Sequence, residues 1–194
     1  RILLALEVLA QPSGAWADVR TFTGEEDWQQ FFTRYEQVAL HYALLAELLR
    51  VELFSFGANL RESTRTEPQG IVQNPALVAL KQAGWKALVA RLRAVYEGGL
   101  TYTARFPAEA AEVGFFESLD FVGLSFFPRL AREERAPTAE ELRRTLRAHL
   151  QQALDLAVRW NKPLLLVQTG FPARNDSWNL SFVPRGASDP APQE

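Results

Sequence analysis

Five stretches of nearly continuous apolar residues punctuate this chain: Ile2 to Leu9, Val51 to Phe56, Leu100 to Phe106, Leu119 to Phe127 and Pro163 to Thr169. Runs of this length without polar alternation predict parallel strands buried on both faces. Between them the apolar spacing changes to a helical period. Trp28, Phe31, Phe32, Tyr35, Val38, Tyr42, Leu45 and Leu49 mark a long helix after Thr23, where Thr23 and Glu26 have capping-box spacing. A second helix is expected from Asn74-Pro75, because Asn caps a helix and Pro suits its first turn. It carries Leu77, Trp85, Leu88, Leu92 and Tyr96, and stops at Gly98-Gly99. A short helix is predicted over Pro107 to Glu117, and a third long one from Thr138, with Glu141 three residues on, to Asn161.

The order is therefore β-α-β-α-β-α-β-α-β. Such alternation implies a parallel sheet with right-handed crossovers. Two architectures fit: a five-stranded doubly wound sheet, or part of a (β/α)8 barrel. There is no internal repeat and no linker. The last residues, from Pro184, are rich in Pro, Ala, Ser and Gly, so the folded domain is expected over 1–183 and a fraying tail over 184–194.

Composition narrows the class. The chain has 194 residues, 47% hydrophobic and 23% charged, which is folded-domain composition rather than that of a disordered segment. No apolar run reaches the roughly 18 residues that a membrane span needs. The chain begins at Arg1 rather than Met, so upstream residues are expected. A net charge of −2 lacks the basic excess of a nucleic-acid binder. There are no cysteines, and His41 and His149 are the only histidines, so neither a thiolate nor a histidine-rich metal site is expected, and no cofactor. With 18 Arg, 3 Lys and 2 Ile, the usage is that of a GC-rich bacterial genome.

Four stretches carry a resemblance. They are Phe54-Ser55-Phe56-Gly57-Ala58-Asn59-Leu60; Trp85 to Arg93 with Tyr96, Gly98 and Leu100-Thr101-Tyr102; Leu119 to Leu124 leading to Phe126-Phe127-Pro128; and Lys162-Pro163-Leu164 to Gln168-Thr169-Gly170-Phe171. In order and spacing they resemble the β-mannanase-like (β/α)8 glycoside hydrolases of family 113 and its relatives in the large retaining clan. The helix with Trp28, Phe32, Tyr35 and Tyr42-Ala43 fits as well. The resemblance implies an α/β fold, a TIM barrel of which this chain covers about strands three to seven. Five strands leave two open edges, so the rest of a longer chain or a protein partner is expected to supply strands one, two and eight.

The resemblance also implies where the chemistry would sit. Retaining hydrolysis needs an acid/base and a nucleophile, two carboxyl groups about 5–5.5 Å apart. In the family pattern Gly-x-Glu-Leu closes strand four and Glu-x-Gly-Tyr closes strand seven. Here the matching residues are Gly57-Ala58-Asn59-Leu60 and Gln168-Thr169-Gly170-Phe171. Both carboxylates are replaced by amides. An amide does not titrate near neutral pH, so it cannot shuttle the proton, and its oxygen is too weak a nucleophile to form the glycosyl ester. Strand five ends in Arg105 where the family tends to a polar Asn-type residue, and strand six carries Phe126 or Phe127 where it tends to a Tyr.

The reading that follows is a catalytically inactive glycosidase-like domain, with no intact catalytic residue. It would bind an oligo- or polysaccharide or serve as an interaction module of a bacterial envelope or secreted system. Trp16, Arg105, Phe126, Phe127 and Trp178 are the candidate sugar contacts. Exposed Trp in loops after barrel strands can stack on sugar rings. The Arg105 guanidinium either pairs with Glu7 or Asp120 or meets an acidic sugar. The competing reading is an active hydrolase of a β-linked, mannan-type polysaccharide that uses relocated carboxylates, with Glu62 and Asp176 as the leading candidates and Glu67 behind them.

Overall fold

The structure, a computed structural model, describes residues 2–10, 15–16, 22, 24–65, 74–131, 136–171 and 177–179. In chain order its elements are β1 (Leu3–Ala5), β2 (Leu9–Ala10), β3 (Ala15–Trp16), α1 (Glu25–Leu48), β4 (Leu53–Ala58), α2 (Arg61–Thr64), α3 (Pro75–Arg93), β5 (Gly99–Arg105), α4 (Ala108–Glu112), β6 (Val122–Phe126), α5 (Ala139–Trp160) and β7 (Leu164–Thr169). Among the described residues there are also two 3-10 turns, Phe116–Ser118 and Ser177–Asn179. Among the described residues no helix is long and apolar enough to cross a membrane.

Five strands form one parallel sheet in the order β1-β4-β5-β6-β7. Each new strand adds on the same side of the last. A doubly wound sheet reverses direction at a switch point, and this one does not. The helices also lie on one face. Phe54 meets Tyr96 beyond α3, Phe56 meets Trp85 of α3, Tyr35 of α1 donates to the Phe56 carbonyl at 2.7 Å, and Phe116 meets Trp160 of α5. A singly wound parallel sheet with all helices outside is an arc of a (β/α)8 barrel.

Strand side chains alternate between the two faces. Phe54, Phe56, Leu100, Tyr102, Val122, Leu124 and Phe126 belong to the helix-side core. Ser55, Thr101, Thr103, Gly123 and Ser125 form the opposite, interior row, and the four that carry side chains are at most 1% exposed. The row is small and polar because the curled sheet brings its strands together on that side. Ser55 Oγ and Thr103 Oγ1 are hydrogen-bonded to each other at 2.6 Å, and Thr101 Oγ1 donates to the Phe121 carbonyl at 3.1 Å, so the buried hydroxyls are satisfied.

The termini of the long helices follow their caps. Asn74 Oδ1 accepts from the Ala76 amide at 3.0 Å, with Pro75 in the first turn. Thr138 and Glu141 form the reciprocal capping box, and α5 ends at Asn161 in the left-handed region, φ 50°. The α1 N-cap is Gly24; Thr23 lies outside the described residues.

Four predicted boundaries are corrected. The second helix stops at Arg93 rather than at Gly98, because Tyr96 turns inward to donate to the Val51 carbonyl at 2.8 Å. The run from Ile2 to Leu9 is not one strand: β1 ends at Ala5, and Leu9 pairs antiparallel with Trp16. The helix expected over Pro107 to Glu117 is only α4 and a 3-10 turn. Phe115 stacks on Trp85 at 5.2 Å while Phe116 turns to Trp160, which pulls the chain off the helical path at Gly114. The strand expected from Leu119 begins at Val122, because the Asp120 carboxylate is held by Arg93 at 2.6 Å and by the Leu100 amide at 2.7 Å in the preceding turn. The tail 184–194 lies outside the described residues.

The tightest point of the interior row is Gly123. A Cβ there would lie 2.5 Å from Thr101 Oγ1 and 2.6 Å from the Tyr102 carbonyl oxygen, which is backbone and cannot step aside. Gly123→Ala is expected to destabilise the fold by about 1–3 kcal/mol. Chemical denaturation of the two proteins side by side checks this; equal midpoints would mean that the sheet is not packed so closely.

Candidate functional site

Every residue that matters to the candidate site stands at or just past the C-terminal end of a strand. That is the end where barrel enzymes assemble their chemistry. Two breaks in the strand ladder decide which side chains reach the interior there. On β4, Ser55 pairs with Thr101 but Ala58 pairs with Thr103, so one extra residue is taken up. On β7, Leu164 and Leu166 pair with the helix-side residues Val122 and Leu124, and then Gln168 pairs with Ser125. One extra residue, Val167, reverses the alternation. Gln168 thus joins the interior row although Leu164 and Leu166 face the helices. A bulge that re-aims a side chain near the end of a strand is a recurrent device at active sites.

The Gln168 amide is gripped on both sides. Its Oε1 accepts from Ser125 Oγ at 3.0 Å, and its Nε2 donates to Glu7 Oε1. Glu7 follows β1. The ladder continues past Ala5, opposite Ser55, through the Leu6 amide to the Ser55 carbonyl at 2.9 Å. Two residues beyond Ala5, Glu7 falls on the interior row. Since β1 and β7 are the two edges of the sheet, the bond from Gln168 to Glu7 spans the mouth of the arc.

Asn59 ends β4 with φ 55°. The left-handed region is one that Asn tolerates better than most residues. Its backbone N–H donates to the Thr103 carbonyl at 3.0 Å. The side chain is fully buried, and among the described residues neither Oδ1 nor Nδ2 has a hydrogen-bond partner. A buried amide left in that state costs about 1–3 kcal/mol for each unmet group.

What fixes this turn is a carboxyl that sequence reading did not single out. Glu109 of α4 is fully buried. Its Oε1 accepts from Tyr102 Oη at 2.6 Å and from Thr64 Oγ1 at 3.1 Å, and its Oε2 accepts from the Arg105 amide at 2.8 Å. Tyr102 Oη in turn accepts from the Leu60 amide at 2.7 Å. One carboxylate thereby ties α2, the turn after Asn59 and the end of β5 together. Burial raises its pKa from 4.5 to about 7, against the three donors and the Arg105 charge, which all favour the ionised form. The same burial, with the Glu109 charge beside it, pushes the Tyr102 hydroxyl well above its ordinary value. The signal for Glu109 was an acidic residue inside the small apolar turn Phe106 to Ala111, directly after a strand. The signal for Glu7 was the two-residue period along Leu3, Ala5 and Glu7.

The other sequence candidates divide. Arg105 ends β5 beside Ser125 in register, so it stands on the interior row. Asp120 is not its partner: that carboxylate sits at the opposite end of the strands, bound to Arg93. Phe126 is on the helix side, 2% exposed and packed on Phe106 at 5.1 Å, so its ring does not face the mouth. Phe127 is half-buried and lines a cleft of about 440 Å³ with Phe106, Pro107, Arg129 and His149. Trp178 is half-buried, and its carbonyl accepts from the Leu130 and Ala131 amides at 2.7 and 3.1 Å, which pins the loop after β7 to the loop after β6. Trp16 lies on β3, in the two-stranded sheet with β2 rather than in the five-stranded one. Glu62 is turned away from the interior row: it pairs with Arg65 at 3.1 Å, and Arg65 with Glu112 of α4 at 3.5 Å, while Lys81 of α3 donates to the Glu62 carbonyl at 2.9 Å. Glu67 and Asp176 lie outside the described residues. Among the described residues no three His, Asp or Glu side chains are grouped so as to hold a metal ion.

Because the folded Glu109 pKa lies above the unfolded one, the native state holds this proton more tightly. The stability it contributes is full below pH 4.5 and is lost as pH rises through about 7. The expected loss is about 3 kcal/mol. Urea unfolding of the native protein and Glu109→Gln at pH 4.5 and pH 8 checks it: the difference between the two proteins should change by that amount. A constant difference would mean that Glu109 titrates normally.

Comparison with known proteins agrees with the barrel fold. The profile of Glycoside Hydrolase Family 113 matches residues 13–190. A family 113 β-mannanase from Alicyclobacillus acidocaldarius, solved in complex with ManMIm, superposes with a TM-score of 0.67 at 22% identity, over 88% of this chain and 47% of that one. A family 113 β-1,4-mannanase complex gives 0.70 at 21% identity, over 93% and 50%. A further β-1,4-mannanase structure gives 0.65 at 21%, over 88% and 47%. The chain spans about half the length of these solved structures. No curated protein matches it.

Proposed function

Since this chain belongs to Glycoside Hydrolase Family 113, we propose that it is a hydrolase-like domain that has lost its chemistry and keeps a glycan-binding mouth. The observation that carries this reading is the pair of amides, Asn59 and Gln168, at the ends of β4 and β7. The family resemblance puts the acid/base and the nucleophile at these two positions. A neutral amide supplies neither a proton nor a displaceable electron pair of carboxylate strength. General acid–base assistance alone is worth about 10²–10⁴-fold, and a missing nucleophile removes the covalent route altogether.

The substrate class is taken from the relatives, which are described as β-1,4-mannanases and a β-mannanase. The mouth supports a hydroxyl-rich ligand. The amides of Asn59 and Gln168, the Glu7 carboxylate and the Arg105 guanidinium make the same strand ends polar. The competing reading, hydrolysis by relocated carboxylates, draws nothing from Glu62, whose charge is spent on Arg65.

The test pairs two measurements on the full-length protein. Reducing-sugar release from β-1,4-mannan is expected to be absent at enzyme concentrations where an active relative saturates the assay. Isothermal titration with mannohexaose is expected to give saturable binding. Sugar release by the native protein would overturn the reading, and so would the absence of binding.

A further inference from the structure

Resting on that glycan-binding reading for its ligand, we propose that Glu109 and Thr64 form a proton-operated latch on the mouth. With a proton held between them, the turn after β4 and the end of β5 are locked in the ligand-binding arrangement; loss of the proton releases them. Three observations carry this.

The first is what the pair fastens. Helix α2 follows the turn after Asn59 and is tied down at two adjacent residues. Ser63 is held to the helix-side core, its carbonyl accepting from Trp85 Nε1 at 3.0 Å and its hydroxyl donating to the Leu60 carbonyl at 2.6 Å. Thr64 is held to α4 by the Glu109 carboxyl. Through Tyr102 Oη the same carboxyl reaches the Leu60 amide, and through Oε2 it reaches the Arg105 amide. The C-terminal ends of two neighbouring strands, the face on which a barrel's ligand sits, thus depend on one carboxyl.

The second is a place for the proton. Thr64 Oγ1 lies 3.1 Å from Glu109 Oε1 and 3.2 Å from the Arg61 carbonyl oxygen. When Glu109 is ionised, Thr64, Tyr102 and the Arg105 amide all donate to it. When Glu109 is neutral, its O–H donates to Thr64 Oγ1 and the Thr64 proton turns to the Arg61 carbonyl. The Tyr102 and Arg105 donors keep their acceptors. The neutral acid is therefore satisfied with no heavy atom displaced.

The third is enclosure. Glu109 and Tyr102 are fully buried, and Thr64 nearly so. The proton exchanges with solvent only when the turn opens, and opening gives an ionised carboxylate the water that the closed site denies it. The closed turn binds the proton with a pKa of about 7 against 4.5 in water, so a rise in pH favours opening. Helix α4 packs on β5 and α2. From β5 come Tyr102 and the Arg105 charge. From α2 come Arg61 and Arg65, both paired with Glu112 of α4 at 3.3 and 3.5 Å, and Glu62, paired with Arg65. Tyr35 of α1 stands behind Tyr102, and the His149 ring of α5 meets Phe106. A pH effect from any of these persists when position 109 is substituted, which separates them from the latch.

The experiment is hydrogen exchange of the Leu60 and Arg105 amides, read by NMR and corrected for intrinsic rates. It uses the full-length native protein and Glu109→Gln at pH 5.5 and pH 8.5, with and without mannohexaose. In the native protein, protection of both amides is expected to fall about thirtyfold between the two pH values. In Glu109→Gln it is expected to stay level. Both amides should exchange faster than those within the β4–β5–β6 ladder, the mark of a local opening. Mannohexaose at about a hundred times its Kd should raise their protection about a hundredfold. If Glu109→Gln does not fold, Thr64→Val removes the place for the proton and should lower protection of both amides at pH 5.5. The latch is overturned by native protection that is level with pH, by an equal fall in Glu109→Gln, or by exchange as slow as that of the ladder. Unchanged protection in Thr64→Val, or on binding of mannohexaose, overturns it as well. Failure of the native protein to bind mannohexaose would overturn the glycan-binding reading, while the pH comparison would still decide the latch.

Discussion

The Trp85 indole is the point on which the rest of the arc hangs. Its ring meets Phe32 and Tyr35 of α1, Phe56 of β4, Tyr102 of β5 and Phe115 beyond α4, all between 5.2 and 6.0 Å. Its Nε1 donates to the Ser63 carbonyl of α2 at 3.0 Å. Aromatic contacts of this kind add about 0.5–1.5 kcal/mol each beyond the area they bury. One side chain thus holds two long helices, two central strands and the turn after β4 in a single relation. Only a polar edge that finds an acceptor lets so large a ring be 1% exposed.

The same cluster reaches into the candidate site through one atom. The Tyr102 ring is packed among Trp85, Phe56 and Phe115, but its hydroxyl lies between Glu109 and the Leu60 amide. The packing of the helix side therefore determines where the turn that carries Asn59 can lie. Glu109 completes the coupling from the other direction, because Thr64 and the Arg105 amide depend on the same carboxylate. Two kinds of residue meet here. Asn59, Gln168, Glu7 and Arg105 stand at or just past the strand ends, and Tyr102 and Glu109 fix the turn after Asn59 and the end of β5.

Much of the frame was legible in the sequence. The apolar runs gave the strands, the helical spacing of Trp28 to Leu49 gave α1, and Asn74-Pro75 and Thr138 with Glu141 gave two helix starts, because each of these is a local signal. The family resemblance, carried by four short stretches, gave the barrel. Periodicity could not separate a barrel from a doubly wound sheet; strand order separates them. The two misjudged helix boundaries share one cause. At Tyr96, Phe115 and Phe116 a distant contact wins over local spacing. Glu109 was illegible for a related reason: an acidic residue in a short helix reads as surface, and only Tyr102, Thr64 and Arg105, brought in by the fold, make it a buried junction. Gln168 was found by resemblance alone. The alternation along β7 assigns it to the helix side, and the break at Val167 undoes that assignment.

That break gives the mouth an unusual kind of evolutionary lever. Substitution changes a side chain by degrees, and each step on a packed strand disturbs its neighbours. A single residue gained or lost at the end of β7 does something different. It leaves Leu164 and Leu166 on the helix side, and it turns the last residues of the strand over as a block, exchanging those that face the barrel interior for those that face the helices. Indels at such a point act as a toggle on the interior-facing surface. A lineage can therefore remodel what its barrel presents while Leu164 and Leu166 keep their places.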